Sequence, residues 1–184
     1  MYEIGDGFPQ NYAKAAEWYL KAAKQGFAHA QHNLGELYRH GRGIEKNHKK
    51  ALKWYAAAAN QGFADSQHNL GYMHYYGLAV PKDQSKAMSW YRKAAEQGFA
   101  KAQNTLGYHY FIGRGVPRDF VKAYMWTYLA AEQGEEMGRK GILHLASRLN
   151  PGQIAEAKQL AQEWLAKHPR KKLPSPSPSP FSSP

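Results

Sequence analysis

Three histidines stand where a metal could gather them. His29 and His32 lie one helical turn apart, and His68 follows thirty-six residues after His32. Imidazoles at that spacing on one helix face are a common start of a zinc site. No Asp or Glu is placed to orient the rings, so packing or solvation accounts for them better, and no metal or other cofactor is assigned. The chain has no cysteine, which removes disulfides, thiolate-held zinc, iron–sulfur clusters and thiol nucleophiles together. No serine is followed three residues later by lysine, none lies in a Gly-x-Ser-x-Gly frame, and there is no Gly-Lys-Ser/Thr phosphate loop. Gly41-Arg42-Gly43 lacks a third glycine and joins helix to helix, so its glycines serve a tight turn rather than a nucleotide. The chain is read as non-enzymatic, and binding is the chemistry left to place.

The elements that must position a binding surface declare themselves by repetition. Trp18, Trp54, Trp90 and Trp126 are spaced by thirty-six residues each time, as are Ala15, Ala51, Ala87 and Ala123, and Gly26, Gly62, Gly98 and Gly134. Leu34-Gly35, Leu70-Gly71 and Leu106-Gly107 share the step, with Ile142-Leu143 as a weaker copy. Within a unit, Ala30, Leu34, Leu37 and Tyr38, then Ala51, Trp54, Tyr55, Ala58 and Ala59, recur at helical spacing. Each unit therefore holds two amphipathic helices. Gln61-Gly62 ends a second helix, Gly41 to Ile44 links the pair, and Asp83 and Asp119 sit where a helix start wants an acid. No run alternates with period two, so no strand is expected. The pattern predicts an all-α solenoid of tandem helix-turn-helix repeats, each burying its stripe against the next.

The unit Leu-Gly-x-x-Tyr…Gly-x-Gly-Val…Lys-Ala-x-x-Trp-Tyr-x-Lys-Ala-Ala-x-Gln-Gly, shared between the copies from Leu70 to Gln103 and from Leu106 to Gln133, neither of which matches it at every position, resembles the Sel-one-like repeat family, relatives of the tetratricopeptide repeat. The resemblance covers roughly residues 1–148. It implies a right-handed α/α superhelix and a non-catalytic adaptor, of a kind many bacteria use, that presents a curved surface to a protein partner. The one-disulfide-per-repeat device of a cysteine-rich subclass is missing here.

With the stripe of the first helix turned to its neighbour, 100° per residue leaves a second set of positions on the opposite face. Across repeats these are His29, His32, Glu36 and Arg39; then Asp65, His68, Tyr72 and Tyr75; then Lys101, Asn104, Tyr108 and Phe111. In tetratricopeptide-like stacks this face lines the concave groove. Tyrosine and phenylalanine not consumed by the stack are common anchors of binding surfaces. The groove is expected to take an extended peptide or a helix.

Lys+Arg 25 against Asp+Glu 14 gives a formal charge of +11, with a pI near 9.7, which suits an acidic partner. The runner-up expectation is RNA or another polyanion on a basic helical-repeat surface. Against it, Lys86 and Lys122 follow Asp83 and Asp119 by three residues and can pair with them, and the groove shows no repeating pair of base-reading residues. His74 and His109 fall in apolar columns and are read as packing histidines.

The ends differ from the middle. Gly5-Asp6-Gly7 aligns with Gly41-Arg42-Gly43, so the first repeat begins halfway, at Met1. As written the chain reads as cytoplasmic; a signal peptide upstream of Met1 would make it periplasmic or secreted. Residues 149–168 leave the period: Pro151 at a helix start and a narrow stripe of Ile154, Ala157, Leu160, Ala161 and Trp164 predict a C-terminal capping helix. Residues 169–184 alternate Ser and Pro after Arg170-Lys171-Lys172 and are expected to form a disordered tail. No stretch reaches the length of a membrane helix.

Overall fold

The computed structural model describes residues 11–169; residues 1–10, where the half repeat starts, and the Ser/Pro tail from residue 170 lie outside them. Among the described residues there are helices and no strands. They run α1 (Tyr12–Lys24), α2 (Ala28–His40), α3 (His48–Asn60), α4 (Ala64–Tyr76), α5 (Gln84–Glu96), α6 (Ala100–Ile112), α7 (Phe120–Ala131), α8 (Glu136–Ala146) and α9 (Pro151–Lys167). Even-numbered helices to α8 open each repeat and odd-numbered ones to α7 close it. Consecutive helices from α1 to α8 pack on one another along the chain, which is the all-α solenoid the period demands.

The two helix types start and stop by different chemistry. α1, α3, α5 and α7 are N-capped by Asn11, Asn47, Asp83 and Asp119, whose side chains accept the backbone N–H of Lys14, Lys50, Lys86 and Lys122 at 2.8–3.0 Å. The acids at 83 and 119 thus act as expected, and asparagine does the same work in the earlier repeats. α2, α4 and α6 have no side-chain cap; each follows a Phe and ends on Gly41, Gly77 or Gly113 in the left-handed region, φ 72°, 74° and 69°.

Small residues set the helix-to-helix distance. A Cβ placed on Gly35 would lie 2.7 Å from the ring of Tyr55, and one on Gly71 would lie 2.8 Å from that of Tyr91. The Leu-Gly pair therefore supplies a large apolar side chain and, beside it, a slot for the next helix's tyrosine. Leu34, Leu37, Met73 and Leu106 are buried, together with the alanines of the second helices, Ala51, Ala58, Ala87, Ala94 and Ala123.

Between these apolar layers runs a polar clasp. The buried Gln31, Gln67 and Gln103 each donate through Nε2 to the carbonyl of Ala23, Ala59 or Ala95 at 3.2 Å. Each accepts through Oε1 from Gln61, Gln97 or Gln133 at 2.7–2.8 Å. One glutamine thus ties the helix before it to the end of the helix after it, satisfying its own buried amide in doing so.

The array closes differently from how it runs. α9 carries a complete capping box, Asn150 with Gln153 behind Pro151, and packs on α7, with Ala157 and Ala161 fully buried. Trp164 meets Trp126 edge to face, centroids 5.8 Å apart. The tryptophan column is consequently graded: Trp18 is 59% exposed, Trp54 and Trp90 are half-buried, and Trp126 falls to 8% under α9.

Candidate functional site

The twelve positions assigned to one face of α2, α4 and α6 do not all serve the same end. On α2, Glu36 and Arg39 are drawn into a network within the solenoid. The Tyr55 hydroxyl donates to Glu36 Oε1 at 2.5 Å and Asn69 Nδ2 donates to the same oxygen at 2.7 Å, while Arg39 Nη2 pairs with Oε2 at 3.1 Å and Arg39 Nε donates to the Tyr55 hydroxyl. This ties α2, α3 and α4 together. Burial pushes the Glu36 carboxyl up, but the hydrogen bonds from Tyr55 and Arg39 and the Arg39 charge outweigh it and hold the group below its ordinary range.

The histidines are turned to packing. His32 Nδ1 lies 2.9 Å from Ser66 Oγ, and its ring sits 5.1 Å from that of Phe63. His68 Nε2 lies 3.1 Å from Thr105 Oγ1, between Tyr91 and Phe99. The Thr105 hydroxyl already donates to the Lys101 carbonyl, so His68 must carry its proton on Nε2 and donate it. Burial and the Lys101 charge push the His68 imidazole down to about 4, against the opposing Asp65 carboxylate. Burial lowers His32 and His109 as well. His74 and His109 are buried, at 7% and 4% exposure. His29 is exposed and bonds Asn33 on its own helix, and among the described residues no three His, Cys, Asp or Glu side chains gather as a ligand set.

The aromatic positions are the ones the fold brings together. Tyr72, Tyr75 and Tyr108, with His68, line a cleft of about 450 Å³ between α4 and α6. Tyr72 and Tyr76 lie 4.5 Å apart, and Tyr75 meets Tyr76 and His109 edge on at 4.9 Å. Asn104, Tyr108 and Phe111 line a second cleft of about 540 Å³ between α6 and α8, with Met137, His144 and Leu145 opposite. Tyr108, 57% exposed, lines both, as does Thr105 one turn before it. His29, Asp65 and Lys101, in the first turns of their helices, line neither.

Sequence reasoning missed Lys82 and Arg114, which edge the tyrosine cleft. Both sit in the turns joining paired helices, where 100° arithmetic does not reach. It also missed Met137 and His144, because the drifted fourth unit gives no clear column. In the lysine column on the second helices, Lys122 pairs with Asp119 at 2.9 Å and Lys50 lies over the Tyr38 ring at 5.2 Å, whereas Asp83 accepts the Lys86 backbone N–H and forms no ion pair with its ammonium. Among the described residues no helix is long and apolar enough to cross a membrane.

Residues 1–27, 28–63, 64–99 and 100–135 each match the Sel1 repeat model. A protective antigen present in uropathogenic Escherichia coli strains, described as displaying an SLR fold, superposes with a TM-score of 0.85 at 38% identity, over 91% of this chain and 36% of that one. A Sel1 repeat protein from Oxalobacter formigenes gives 0.70 at 37% identity, over 91% of this chain and 69% of that one. The chain thus spans about a third of the first relative's length. No curated protein matches the chain.

Proposed function

The chain belongs to the Sel1 repeat family, and from that premise we propose that its first-helix face is a groove that holds a peptide or helix of a partner protein. Sel1 repeat proteins are generally protein-interaction scaffolds and generally non-catalytic. One observation carries the finer assignment: Tyr72, Tyr75, Tyr108 and Phe111, scattered over forty residues of sequence, cluster around two adjoining clefts. Tyr108 is exposed and the other three are half-buried, and aromatic side chains at the wall of a preformed hollow give large contact area at low entropic cost. Glu36 and Arg39 support that surface from within the solenoid, through Tyr55 and Asn69.

The polyanion alternative draws less support, since Lys50 and Lys93 lie over the chain's own aromatic rings and Lys122 pairs with Asp119. Affinity capture separates the two readings. The wild-type chain and a Tyr72→Ala, Tyr75→Ala, Tyr108→Ala, Phe111→Ala variant, matched in helical circular dichroism, are each presented to a lysate with and without nuclease. Protein retained by the wild type after nuclease and lost by the variant is the expected result. Retention that the variant keeps, or that vanishes with nuclease, refutes the groove.

A further inference from the structure

Resting on the groove reading, we propose that the two clefts on either side of Tyr108 are one bipartite site for an acidic peptide segment, in which a carboxylate enters the α4/α6 cleft and a bulky apolar side chain enters the α6/α8 cleft. The two hollows differ in charge in a way that assigns the halves. The α4/α6 cleft is edged by Lys82 and Arg114 and has no Asp or Glu in its lining. Neither cation has an acidic partner among the described residues: Arg114 Nη1 donates only to the Tyr75 hydroxyl, at 3.4 Å, and the Lys82 ammonium lies over the Tyr75 ring at 5.9 Å. The Arg114 guanidinium and the Lys82 ammonium thus meet at Tyr75 on the edge of one hollow, and a carboxylate is the side-chain acceptor that also meets their charge. The chain's formal charge of +11 favours approach of such a partner.

The α6/α8 cleft reads the other way. Its one lysine, Lys140, is drawn to Glu136 at 2.6 Å on the exposed side of α8, and the hollow presents Phe111, Met137 and Leu145. Met137 is 60% exposed, and an unbranched thioether at a cleft mouth adapts to side chains of different shape. Tyr108 stands between the halves, so a chain crossing it sets one residue into each. A partner with both features gains from both clefts, whereas a merely acidic or merely greasy segment gains from one.

The test uses the full chain and a phage-displayed library of random dodecapeptides, with enriched sequences synthesised and their binding followed by fluorescence anisotropy. The expected result is a shared pattern of Asp or Glu at a fixed offset from Leu, Ile, Met, Phe or Trp. A Lys82→Glu, Arg114→Glu variant should bind those peptides at least about tenfold more weakly and should itself select Lys or Arg at the acidic position. A Met137→Asp variant should lose the apolar preference and keep the acidic one. Enriched peptides without an acid, or affinity indifferent to the charge reversal, overturn the bipartite site, while loss of the same peptides by Tyr108→Ala would still uphold the groove. Peptides indifferent to Tyr108→Ala overturn both, and a library that yields no binder overturns the bipartite site alone if lysate capture still depends on the four aromatics.

Discussion

Acidification should loosen this solenoid through His68 before its carboxylates are reached. The ring donates from Nε2 to Thr105 between Tyr91 and Phe99, and burial with the Lys101 charge lowers its pKa from 6.5 to about 4. The folded state therefore binds fewer protons than the unfolded chain over that interval. Its contribution is fully present above the unfolded value and is lost as pH falls toward the folded one. At pH 5 an unfolded histidine is almost wholly protonated and His68 is about a tenth so, which amounts to roughly 2 kcal/mol, rising to about 3 kcal/mol below pH 4. Asp65 is the carboxylate opposing this shift, and Arg39 adds to it. Urea unfolding followed by circular dichroism at pH 7 and pH 5 measures the loss. The control is His68→Gln, whose amide can donate to Thr105 but does not titrate. The wild type should lose about 2 kcal/mol more than this variant over the same interval, with His32, His74 and His109 contributing equally to both. The same pH dependence in the two proteins would mean the ring is open to water, and the argument from burial would fail.

Ala79 is the only non-glycine residue with positive φ among those described, at 61°, in the column that holds Gly43 and Gly115. Ala79→Gly relieves left-handed strain of about 1–2 kcal/mol and gives back about 0.4–1 kcal/mol to the unfolded chain, so thermal unfolding should move up by a few degrees. Gly71→Ala places a methyl 2.8 Å from the Tyr91 ring and 3.1 Å from the Ala87 carbonyl; urea titration should show a loss of about 1–3 kcal/mol. Gln67→Leu breaks the clasp to Ala59 and Gln97 and should cost about 2 kcal/mol, more than Gln97→Ala, whose side chain is largely in water. Tyr72→Glu with Tyr75→Arg installs at α4 the pair that α2 already carries; circular dichroism and unfolding midpoint should hold within about 1 kcal/mol, while capture of the partner is lost.

What the sequence made legible follows from which forces repeat. Leu34-Gly35, the alanine columns and the glycine turns recur because every repeat meets the same neighbour, so periodicity alone yields the helix pairs. The glutamine clasp was visible as letters, Gln31 with Gln61 and each copy after it, yet its partners lie thirty residues apart and meet only once helices stack. The tryptophan column misleads in the opposite direction: a regular stripe suggests uniform burial, but Trp126 is covered by α9 and Trp18 by nothing equivalent among the described residues. At the candidate site, Tyr72, Tyr75 and Tyr108 were legible by column. Lys82 and Arg114 were not, since turn residues take directions that no helical period gives.

The columns that vary say more about recognition than those that repeat. Positions 36 and 39 of the first described pair are Glu and Arg, engaged with Tyr55; their counterparts are Tyr72 and Tyr75, then Tyr108 and Phe111. Tyr91 nevertheless occupies the place of Tyr55, 3% exposed over Gly71, without a glutamate to bond its hydroxyl. The slot made by the glycine, and not the ion pair, therefore seats the ring. That separation lets the columns of Glu36 and Arg39 change from repeat to repeat while the ring stays seated, even though at α2 the pair also ties three helices together. A partner laid along the face would then meet an ordered series, charged and satisfied at α2, tyrosine with unpaired cations at α4, apolar between α6 and α8. An ordered series distinguishes one end of a peptide from the other, which a uniform repeat surface could not do.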